Sequence, residues 1–516
     1  MVLIPRQGDP IAGWKGQDFM SVVYAPRLLD SSETHCTIRH PWWRPLALAL
    51  LLAGSLATTA WLVARSPKDA LMVDAGGMAT IVSVVQPYLL CFLPYALACT
   101  LVLFTRPSVG GWRRLEIGLI LGGALLLRAL LLPLPPNLSH DSWRYVWDAR
   151  VFLHGYSPYV LAPGDKILQP LRDFIFVNSR YRNVPSLYPP GAQYIYLLSY
   201  LIVPSSLYFL KTVFVLFDLA SCGVLVRLLA RKGLDPARAL LYAWCPLPVV
   251  EFALQGHVDV LTITFALLAV LTAADRRWRG RALTGFFVGM ATLTKLYPIV
   301  MLATVVHLRD WRRDWLLVLS CLLTIVLGYL PFYIQGHGQI FGFFLTYASE
   351  QGQNAGVIQQ LIFQFDHARQ LALPAIIAHE HDVAFVLLVS ISLLIFVLRQ
   401  FQYISLEAGT LILFGLILAV SSHVFPWYTS MLLPWIVLLL PARGERRSCV
   451  LTAARVLALA VPWLFLFLSV TAYMTDWPLY YLTIYEPLMA ALALAALIAF
   501  VSRLSGLRQK GTYRAN

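Results

Sequence analysis

The chain has 516 residues, of which 59% are hydrophobic and 13% are charged. This composition excludes an ordinary soluble domain, in which roughly 25% of the residues would be charged. The formal net charge of +14 does not indicate a nucleic-acid partner, because the arginines cluster in short loops between apolar runs, as the positive-inside bias of membrane proteins requires. The composition therefore predicts an all-α, polytopic membrane protein that crosses the bilayer many times.

Apolar runs of roughly 15 to 25 residues, long enough to cross about 30 Å of hydrocarbon, recur along the chain. They lie near residues 46–64, 80–105, 115–134, 207–230, 236–254, 257–274, 314–334, 383–399, 405–421, 427–441, 452–473 and 482–502. We assign residues 45–505 to the transmembrane domain. The polar residues 1–44, which lack the pattern of a cleaved signal peptide, and residues 506–516 are predicted to be cytoplasmic tails.

Arginine-rich loops predict the orientation of these runs. Basic clusters separate the second run from the third and follow the runs at 207–230, 257–274 and 427–441. If all of them are cytoplasmic, residues 135–190 form a long loop on the outer side. We therefore expect a multi-pass protein of the inner (plasma) membrane, with membrane lipids as its neighbours and its active site on the outer face.

Two segments test this topology. Residues 191–204 are apolar but short, so we interpret them as a partial or re-entrant helix beside the outer loop. Residues 281–307 have arginines at both ends, so a single crossing would leave one basic cluster outside. A hairpin of two short helices that turns at residues 295–298 keeps both clusters inside and places Lys295 at membrane depth, where a lysine usually faces a cavity or an anionic partner.

A polar helix is predicted at the start of the outer loop. Residues 137–160 contain two carboxylates, two histidines, two tryptophans and two arginines. Asp141, Arg144 and Asp148 fall on one helical face. Ser139 is the predicted cap, so Asp141 lies in the first turn, where the helix dipole favours its charged form. By residue pattern alone, a surface helix held by ion pairs is as good an interpretation as an active-site helix.

Three further polar segments are predicted to share the outer side. They are residues 188–193, which begin with Tyr188 and end with Gln193, residues 251–259 and residues 422–428. His257 and Asp259 are two residues apart; they form a weak metal signal, and a pair that hydrogen-bonds a phosphate or a sugar hydroxyl is an equal alternative. Trp427 is interpreted as part of an interfacial aromatic belt. The seven cysteines show neither metal-ligand nor disulfide spacing.

Together these motifs resemble a known family. Residues 139–150, Ser-His-Asp-Ser-Trp-Arg-Tyr-Val-Trp-Asp-Ala-Arg, resemble the first outer loop of bacterial polyprenyl-phosphate-mannose-dependent mannosyltransferases of the GT-C superfamily. The resemblance covers roughly residues 130–310 in order, and continues through the motifs at residues 155–159, 171–173, 188–193, 216–219, 241–244, 256–259 and 294–298.

The resemblance implies a GT-C fold of about eleven to fourteen spans and an enzyme that transfers a sugar, in the first place mannose, from a polyprenyl-phosphate donor to a lipid-linked or glycan acceptor. The acidic residue of the family's first outer loop falls on Asp141, as general base. Lys295 is the first candidate to bind the donor phosphate, and Arg144 or His257 the second. Further candidates for phosphate or sugar binding are Asp259, His140, Tyr188 and Gln193.

One feature departs from the family. Many relatives carry two acidic residues where this chain has His140 before Asp141, so we expect no bound metal and no other cofactor. Two other functions stay open at this point. A transporter or flippase of lipid-linked saccharides would move its substrate without changing any bond, and a ligase would transfer a whole glycan from a diphosphate carrier. No motif encodes the sugar or the acceptor.

Overall fold

The computed structural model describes residues 42–68, 71–349, 356, 358, 380–441 and 449–474. Within them the chain is helical, without a β-strand. The α-helices are α1 (Trp43–Arg65), α2 (Leu71–Leu90), α3 (Phe92–Phe104), α4 (Gly110–Leu131), α5 (Asp141–Leu153), α6 (Phe174–Asn178), α7 (Pro190–Ile202), α8 (Leu207–Arg231), α9 (Leu240–Ala243), α10 (Pro246–Pro248), α11 (Asp259–Ala273), α12 (Trp278–Thr294), α13 (Leu302–Val305), α14 (Trp311–Gln335), α15 (Phe344–Ser349), α16 (Glu380–Gln400), α17 (Leu406–Val420), α18 (Pro426–Thr429), α19 (Leu433–Leu439) and α20 (Cys449–Ser469).

The bundle has the character of a membrane protein. Among the described residues, four helical segments are long and apolar enough to cross a bilayer. They are α1, a segment made of the second half of α2 and the whole of α3, α8, and a segment made of α14 and the short turn before it. A bent pair adds a fifth, and five shorter helices are also apolar. The prediction of an all-α polytopic membrane fold is thereby confirmed. The run at 482–502 and both predicted tails, apart from residues 42–44, lie outside the described residues.

The run at 236–254 is not the single continuous helix that its hydropathy suggests. It consists of a 3₁₀-turn (Pro236–Ala239), α9, α10 and a π-helix (Val249–Leu254), and its two halves meet at an angle of 51°. Pro246 and Pro248 cause the break, because proline lacks a backbone N–H and clashes with the preceding helical turn. The π-helix that follows turns residues 249–254 toward the start of α5.

The predicted hairpin at residues 281–307 is present. Gly289 on α12 packs against Thr324 on α14, and Gly328 on α14 packs against Leu293 on α12. Later residues of α12 thus contact later residues of α14, so the two helices run in the same direction. The segment between them must return, and it does so through a 3₁₀-turn (Tyr297–Met301) and α13. Arg281 lies 3.0 Å from Asp314, so the two basic loops meet at one end and Lys295 lies at the other.

The polar helix α5 lies within the bundle and not on its surface. All its residues from Ser142 to Val151 are buried, which excludes the surface-helix alternative. The helix packs on α7 and α8, and Gly155, with a positive φ of 83°, follows its end. A buried ion pair between Arg128 and Asp218, 2.7 Å long, links α4 and α8 behind it.

Candidate active site

Asp141 is the first residue of α5 and is only partly buried. Its backbone N–H donates to the hydroxyl of Ser139 at 3.3 Å. The N-cap is nevertheless His140, without a side-chain cap, so the prediction that Ser139 caps the helix is wrong. The side chain of Asp141 keeps 21% exposure, whereas the ten residues that follow it, Ser142 to Val151, are buried. Its carboxylate therefore lies at an opening in the packed bundle.

His257 lies beside Asp141 and is held by the π-helix. Its Nδ1 is 4.0 Å from Oδ2 of Asp141, and its Nε2 is 3.3 Å from Oε2 of Glu251. Gly256, with a φ of 73°, permits the turn before the histidine, and a Cβ there would lie 3.1 Å from that of Ser142. The close approach of this turn to α5 is what brings the imidazole and the carboxylate together.

Lys295 and Asp259 form the second part of the site. The chain leaves the helical conformation at Lys295, which is the C-cap of α12, and its Nζ lies 2.7 Å from Oδ1 of Asp259, the first residue of α11. The same Nζ is 3.8 Å from the centre of the Tyr428 ring, a cation–π contact. The lysine side chain is 17% exposed and that of Asp259 only 4%, so the ammonium faces the opening while its partner is enclosed.

Trp427 supports the site from the α18 turn. Its ring stacks on that of His257, with centroids 3.9 Å apart and planes 11° apart, and Phe425 stacks on its other side at 4.6 Å. Trp427 is buried. The interpretation of Trp427 as part of an interfacial belt is therefore wrong, because the ring is enclosed among site residues.

The enclosure changes the acid–base character of two site residues. Burial raises the pKa of the Asp141 carboxyl to about 6, Lys295 partly offsets this rise, and Asp259 adds to it. The expected dipole effect does not dominate. Burial also lowers the pKa of His257 well below its usual range, and the charge of Lys295 lowers it further. At neutral pH, Asp141 is thus a carboxylate able to take up a proton, and His257 is a neutral imidazole.

Arg144 and Gln193 both contact Asp148 and hold the outer segment together. The guanidinium of Arg144 pairs with Asp148 at 2.7 Å and donates to the carbonyls of Tyr181 and Val184. Gln193 donates to Asp148 at 3.2 Å. These contacts fasten the chain after residue 180 to α5 and engage the guanidinium of Arg144 within the protein.

Two other predicted residues lie close by. The ring of Tyr188 packs edge-on against that of Tyr145, with centroids 4.8 Å apart, and the charge of Asp141 contributes to raising its pKa. His140 is buried at the start of α5. Of the predicted site residues, the structure thus brings Asp141, His257, Asp259 and Lys295 together around one opening. Their roles stay predictions.

Within the part of the chain that the structure describes, no three or more His, Cys, Asp or Glu side chains cluster in a way that could hold a metal ion. The described acidic and imidazole groups of the site are instead engaged in pairs, Lys295 with Asp259 and His257 with Glu251.

Sequence reasoning did not select Glu251 or Tyr428. Glu251 is fully buried, and the hydroxyls of Tyr88 and Tyr473 donate to it at 3.2 and 3.3 Å. Glu251 could have been found from the sequence, because it is a carboxylate within an apolar run and lies six residues before His257. Tyr428 lies in the aromatic turn that the sequence did mark, but nothing in its pattern indicates contact with Lys295.

The bundle and the polar opening at its end define a polytopic membrane protein with enzyme-like acid–base groups. Residues 187–422 match the family model described as glycosyltransferase family 87, which is a family of GT-C type membrane glycosyltransferases. This match confirms the resemblance to the GT-C superfamily and supports the glycosyltransferase class of the enzyme. The matched range includes His257, Asp259 and Lys295, and it begins after Asp141. No curated protein and no solved structure matches the chain.

Proposed function

We propose that this membrane glycosyltransferase transfers a hexose, in the first place mannose, from a polyprenyl-phosphate donor to a hydroxyl of a lipid-linked or glycan acceptor. The observation that carries the proposal is the proximity of two partly exposed charges, the carboxylate of Asp141 and the ammonium of Lys295, in an otherwise buried polar cluster; the charge of Lys295 acts directly on the ionisation of Asp141. A base and a cation are the two groups that this reaction needs.

In the proposed reaction Asp141 is the general base. The acceptor hydroxyl attacks the anomeric carbon while its proton passes to the Asp141 carboxylate, and the bond from that carbon to the phosphate oxygen breaks with its electron pair. A pKa of about 6 suits this step, because a base acts best when its pKa lies near the working pH.

Lys295 is proposed to bind the donor phosphate. Its ammonium would stabilise the negative charge that develops on the leaving phosphate, while Asp259 and Tyr428 hold the side chain in place. An ammonium at the end of an apolar hairpin suits a lipid-linked phosphate, whose tail can lie between helices and whose head group needs a cation.

The opening is proposed to face the outer side of the inner membrane. The supporting feature is the hairpin: Arg276 and Arg281 lie at the end of α12 opposite to Lys295, and basic loops are retained in the cytoplasm. Single cysteines placed at exposed Lys166 and at exposed Arg277 would test this orientation. In intact cells an impermeant maleimide should label the first position only, and the reverse pattern would overturn the topology.

The activity is tested with purified protein in liposomes and a panel of polyprenyl-phosphate sugars that differ in the sugar. We expect release of polyprenyl phosphate and a new glycosidic product from one donor, and loss of at least about 10²-fold in rate with Asp141→Asn, the range of general-base contributions. Asp275→Asn is the matched control, because Asp275 is an exposed carboxylate at the far end of α11.

Three results would overturn the proposal. Near-normal turnover by Asp141→Asn would show that Asp141 is not the general base. Movement of labelled donor across the bilayer without any change in its bonds would identify a flippase. Consumption of a diphosphate-linked glycan, with no reaction of any monophosphate donor, would identify a ligase.

A further inference from the structure

The segment that leads to Asp141 is bound by Gln255, a residue to which the proposed reaction gives no part. Residues 132–140 join α4 to α5, and three of them are prolines, which have no backbone N–H. The N–H groups of Asn137 and Leu138 both donate to Oε1 of Gln255 at 3.0 Å. Its Nε2 donates to Oδ1 of Asn137 at 2.8 Å. One side chain therefore makes three hydrogen bonds to this segment.

These hydrogen bonds are enclosed. Gln255 has no exposed surface and Asn137 is 1% exposed, so solvent does not supply the partners that the glutamine provides. An unpaired backbone N–H in such surroundings costs free energy comparable to a lost hydrogen bond, and removal of the Gln255 side chain would leave two of them. The segment could regain partners only by moving. The hydrogen bonds of Gln255 thus fix the path of the chain just before Asp141.

The first half of the segment is held in a complementary way by Lys211 of α8. Its Nζ donates to the carbonyls of Leu132 and Leu134 at 3.0 and 2.6 Å. Lys211 has no exposed surface, and carbonyls at the end of a helix attract a cation because of the helix dipole. Carbonyls of the segment thus bind to Lys211 and its N–H groups to Gln255, so both halves are anchored before Asp141 begins α5.

Gln255 also has a fixed place in the second half of the site. Its backbone N–H closes the last turn of the π-helix. Four residues later Asp259 begins α11 and pairs with Lys295 at 2.7 Å. In between, Gly256 approaches α5 so closely that a Cβ would lie 3.1 Å from that of Ser142. Gln255 therefore joins the segment of the proposed base to the segment of the proposed phosphate-binding pair.

We propose that Gln255 is a positioning residue, which holds residues 137–140 against the turn that follows the π-helix and thereby fixes Asp141 relative to the Lys295–Asp259 pair. The base must reach the acceptor hydroxyl while the ammonium contacts the donor phosphate, both at the same anomeric carbon. A displacement of about 1 Å in such an arrangement can cost about 10²-fold in rate. The catalytic part of this inference rests on the proposed function; its structural part, the coupling between Gln255 and Asp141, does not.

Gln255→Leu keeps the approximate size of the side chain and removes its hydrogen bonds. In the liposome assay we expect kcat to fall about 10- to 100-fold. The KM of the donor should change little, because Thr262 and Thr294 still join α11 to α12 beside the Lys295–Asp259 pair. A loss of this kind, in kcat and not in KM, is what misplacement of the base predicts.

The pH–rate profile reports the surroundings of Asp141. Burial raises its pKa to about 6. The charged and imidazole groups around it include Lys295, Arg180, Arg144, Asp259 and His257. None of them is altered in Gln255→Leu, so a less restrained segment mainly gives water more access to the carboxylate. Because hydration favours the charged form, the acidic limb should move to lower pH.

Gln255→Glu is the conservative variant that should restore most of the lost activity. One of its carboxyl oxygens can accept from the N–H groups of Asn137 and Leu138. When the group is ionised, the Asn137 amide can turn so that Nδ2, which has no hydrogen-bond partner among the described residues, donates to the second oxygen. When the group is protonated, its O–H donates to Oδ1 of Asn137. Both kcat and the acidic limb should therefore return toward those of the unaltered protein.

Stability gives a readout that needs no sugar transfer. The enclosed charge of Asp141 lowers the free energy of unfolding at pH 7.5, so Asp141→Asn is expected to be more stable than the unaltered protein. If Gln255 keeps the carboxylate enclosed, this gain should shrink in the Gln255→Leu background, where water reaches the charge. Denaturant titration of the unaltered protein, the two single variants and the double variant forms a double-mutant cycle that measures the coupling.

Gln400→Leu is the matched control. Gln400 also holds a loop through its backbone: Oε1 accepts from the N–H of Leu308 at 2.8 Å, and Nε2 donates to the carbonyl of Val306 at 3.0 Å. That loop lies at the end of the hairpin opposite to Lys295. The variant measures the general cost of removing a glutamine that binds a loop, and it should leave kcat, the acidic limb and the gain from Asp141→Asn unchanged.

The outcomes separate this inference from the proposed function. Equal effects of Gln255→Leu and Gln400→Leu on kcat, a loss confined to the KM of the donor, or a Gln255→Glu variant as slow as Gln255→Leu would overturn the positioning role. An undiminished gain from Asp141→Asn in the Gln255→Leu background would overturn it even where sugar transfer is observed. A diminished gain without any sugar transfer would support the coupling and overturn the proposed function alone. If Gln255→Leu does not fold, Asn137→Ala, which removes one of the three hydrogen bonds, serves in the same comparisons with smaller effects in the same directions.

Discussion

The ammonium of Lys295 lies 2.7 Å from a carboxylate oxygen of Asp259, which joins the last turn of α12 to the first turn of α11. The two helices are antiparallel, since Thr262 contacts Thr294 at one end and Thr272 contacts Thr284 at the other. The ion pair therefore closes the end of the helix pair at the opening. It holds in place the ammonium on which the proposed phosphate binding depends.

Lys295→Met should weaken donor binding. Loss of a charge-assisted contact of roughly 1.5–3 kcal/mol raises the KM for the polyprenyl-phosphate sugar by about 10- to 100-fold. Lys295→Arg, which keeps the charge, should recover part of the loss. Steady-state kinetics in liposomes measure both, with Lys166→Met, the loss of an exposed lysine of the long outer loop, as control. Equal donor KM in Lys295→Met and Lys166→Met would rule out the phosphate role.

Activity should depend on the ionisation of Asp141. Its pKa is raised to about 6, and only the carboxylate accepts a proton, so the rate should rise as the pH increases through about 6. Because Lys295 favours the charged form, Lys295→Met should move this limb to higher pH. The pH–rate profiles of the two proteins, measured at saturating donor, show which of them has the higher apparent pKa. An apparent pKa near the ordinary value for aspartate in both proteins would contradict an enclosed base.

Asp141→Asn should stabilise the fold while it removes activity. The native state holds Asp141 with a raised pKa, so it binds more protons than the unfolded state between about pH 4 and 6, and stability falls as pH rises through that window. At neutral pH Asp141 is ionised, and the full cost of burying its charge lowers the free energy of unfolding. Asparagine removes it, so the free energy of unfolding should increase by on the order of 1–3 kcal/mol. Denaturant titration at pH 7.5 measures the change.

The control for this comparison is Asp275→Asn, whose exposed side chain carries no such penalty and whose stability should stay close to that of the unaltered protein. At pH 4, where Asp141 is protonated in the folded protein, the advantage of Asp141→Asn should largely disappear. A variant less stable than the unaltered protein at pH 7.5 would mean that the carboxylate makes favourable contacts that outweigh its burial.

Gly191 is required where α7 meets the end of α12. A Cβ at this position would lie 2.9 Å from the carbonyl oxygen of Leu293, which is backbone and cannot turn away. Gly191→Ala should therefore separate the helices two residues from Lys295, with a cost of about 1–3 kcal/mol and a loss of activity. Gly223→Ala, where no atom lies within 4 Å of the added Cβ, is the control. Thermal unfolding in detergent and transfer assays should distinguish the two variants.

The sequence predicted the grouping of Asp141, His257, Asp259 and Lys295 because each lies at the end of an apolar run. Once the basic loops are placed on one side, alternation of the runs brings these four residues to the other. Glu251 and Trp427 could not be predicted in this way. Their positions depend on the π-helix and on the angle between the two halves of the run at 236–254, which set the side-chain directions within the bundle. Hydropathy records only that this run is apolar.

The glycine contacts between α12 and α14 have a consequence for the surroundings of the protein. Only 17% of the apolar window of α14 is buried, so this helix presents most of its surface to lipid, and its close contact with α12 ties Lys295 to it. A bilayer that is too thin for α14 tilts the helix, and one that is too thick is thinned around it; either change would alter the depth of the ammonium relative to the donor head group. The transfer rate should therefore pass through a maximum as acyl chains are lengthened through the hydrocarbon thickness that matches α14, and a constant rate would show that the α12–α14 pair does not set the height of Lys295.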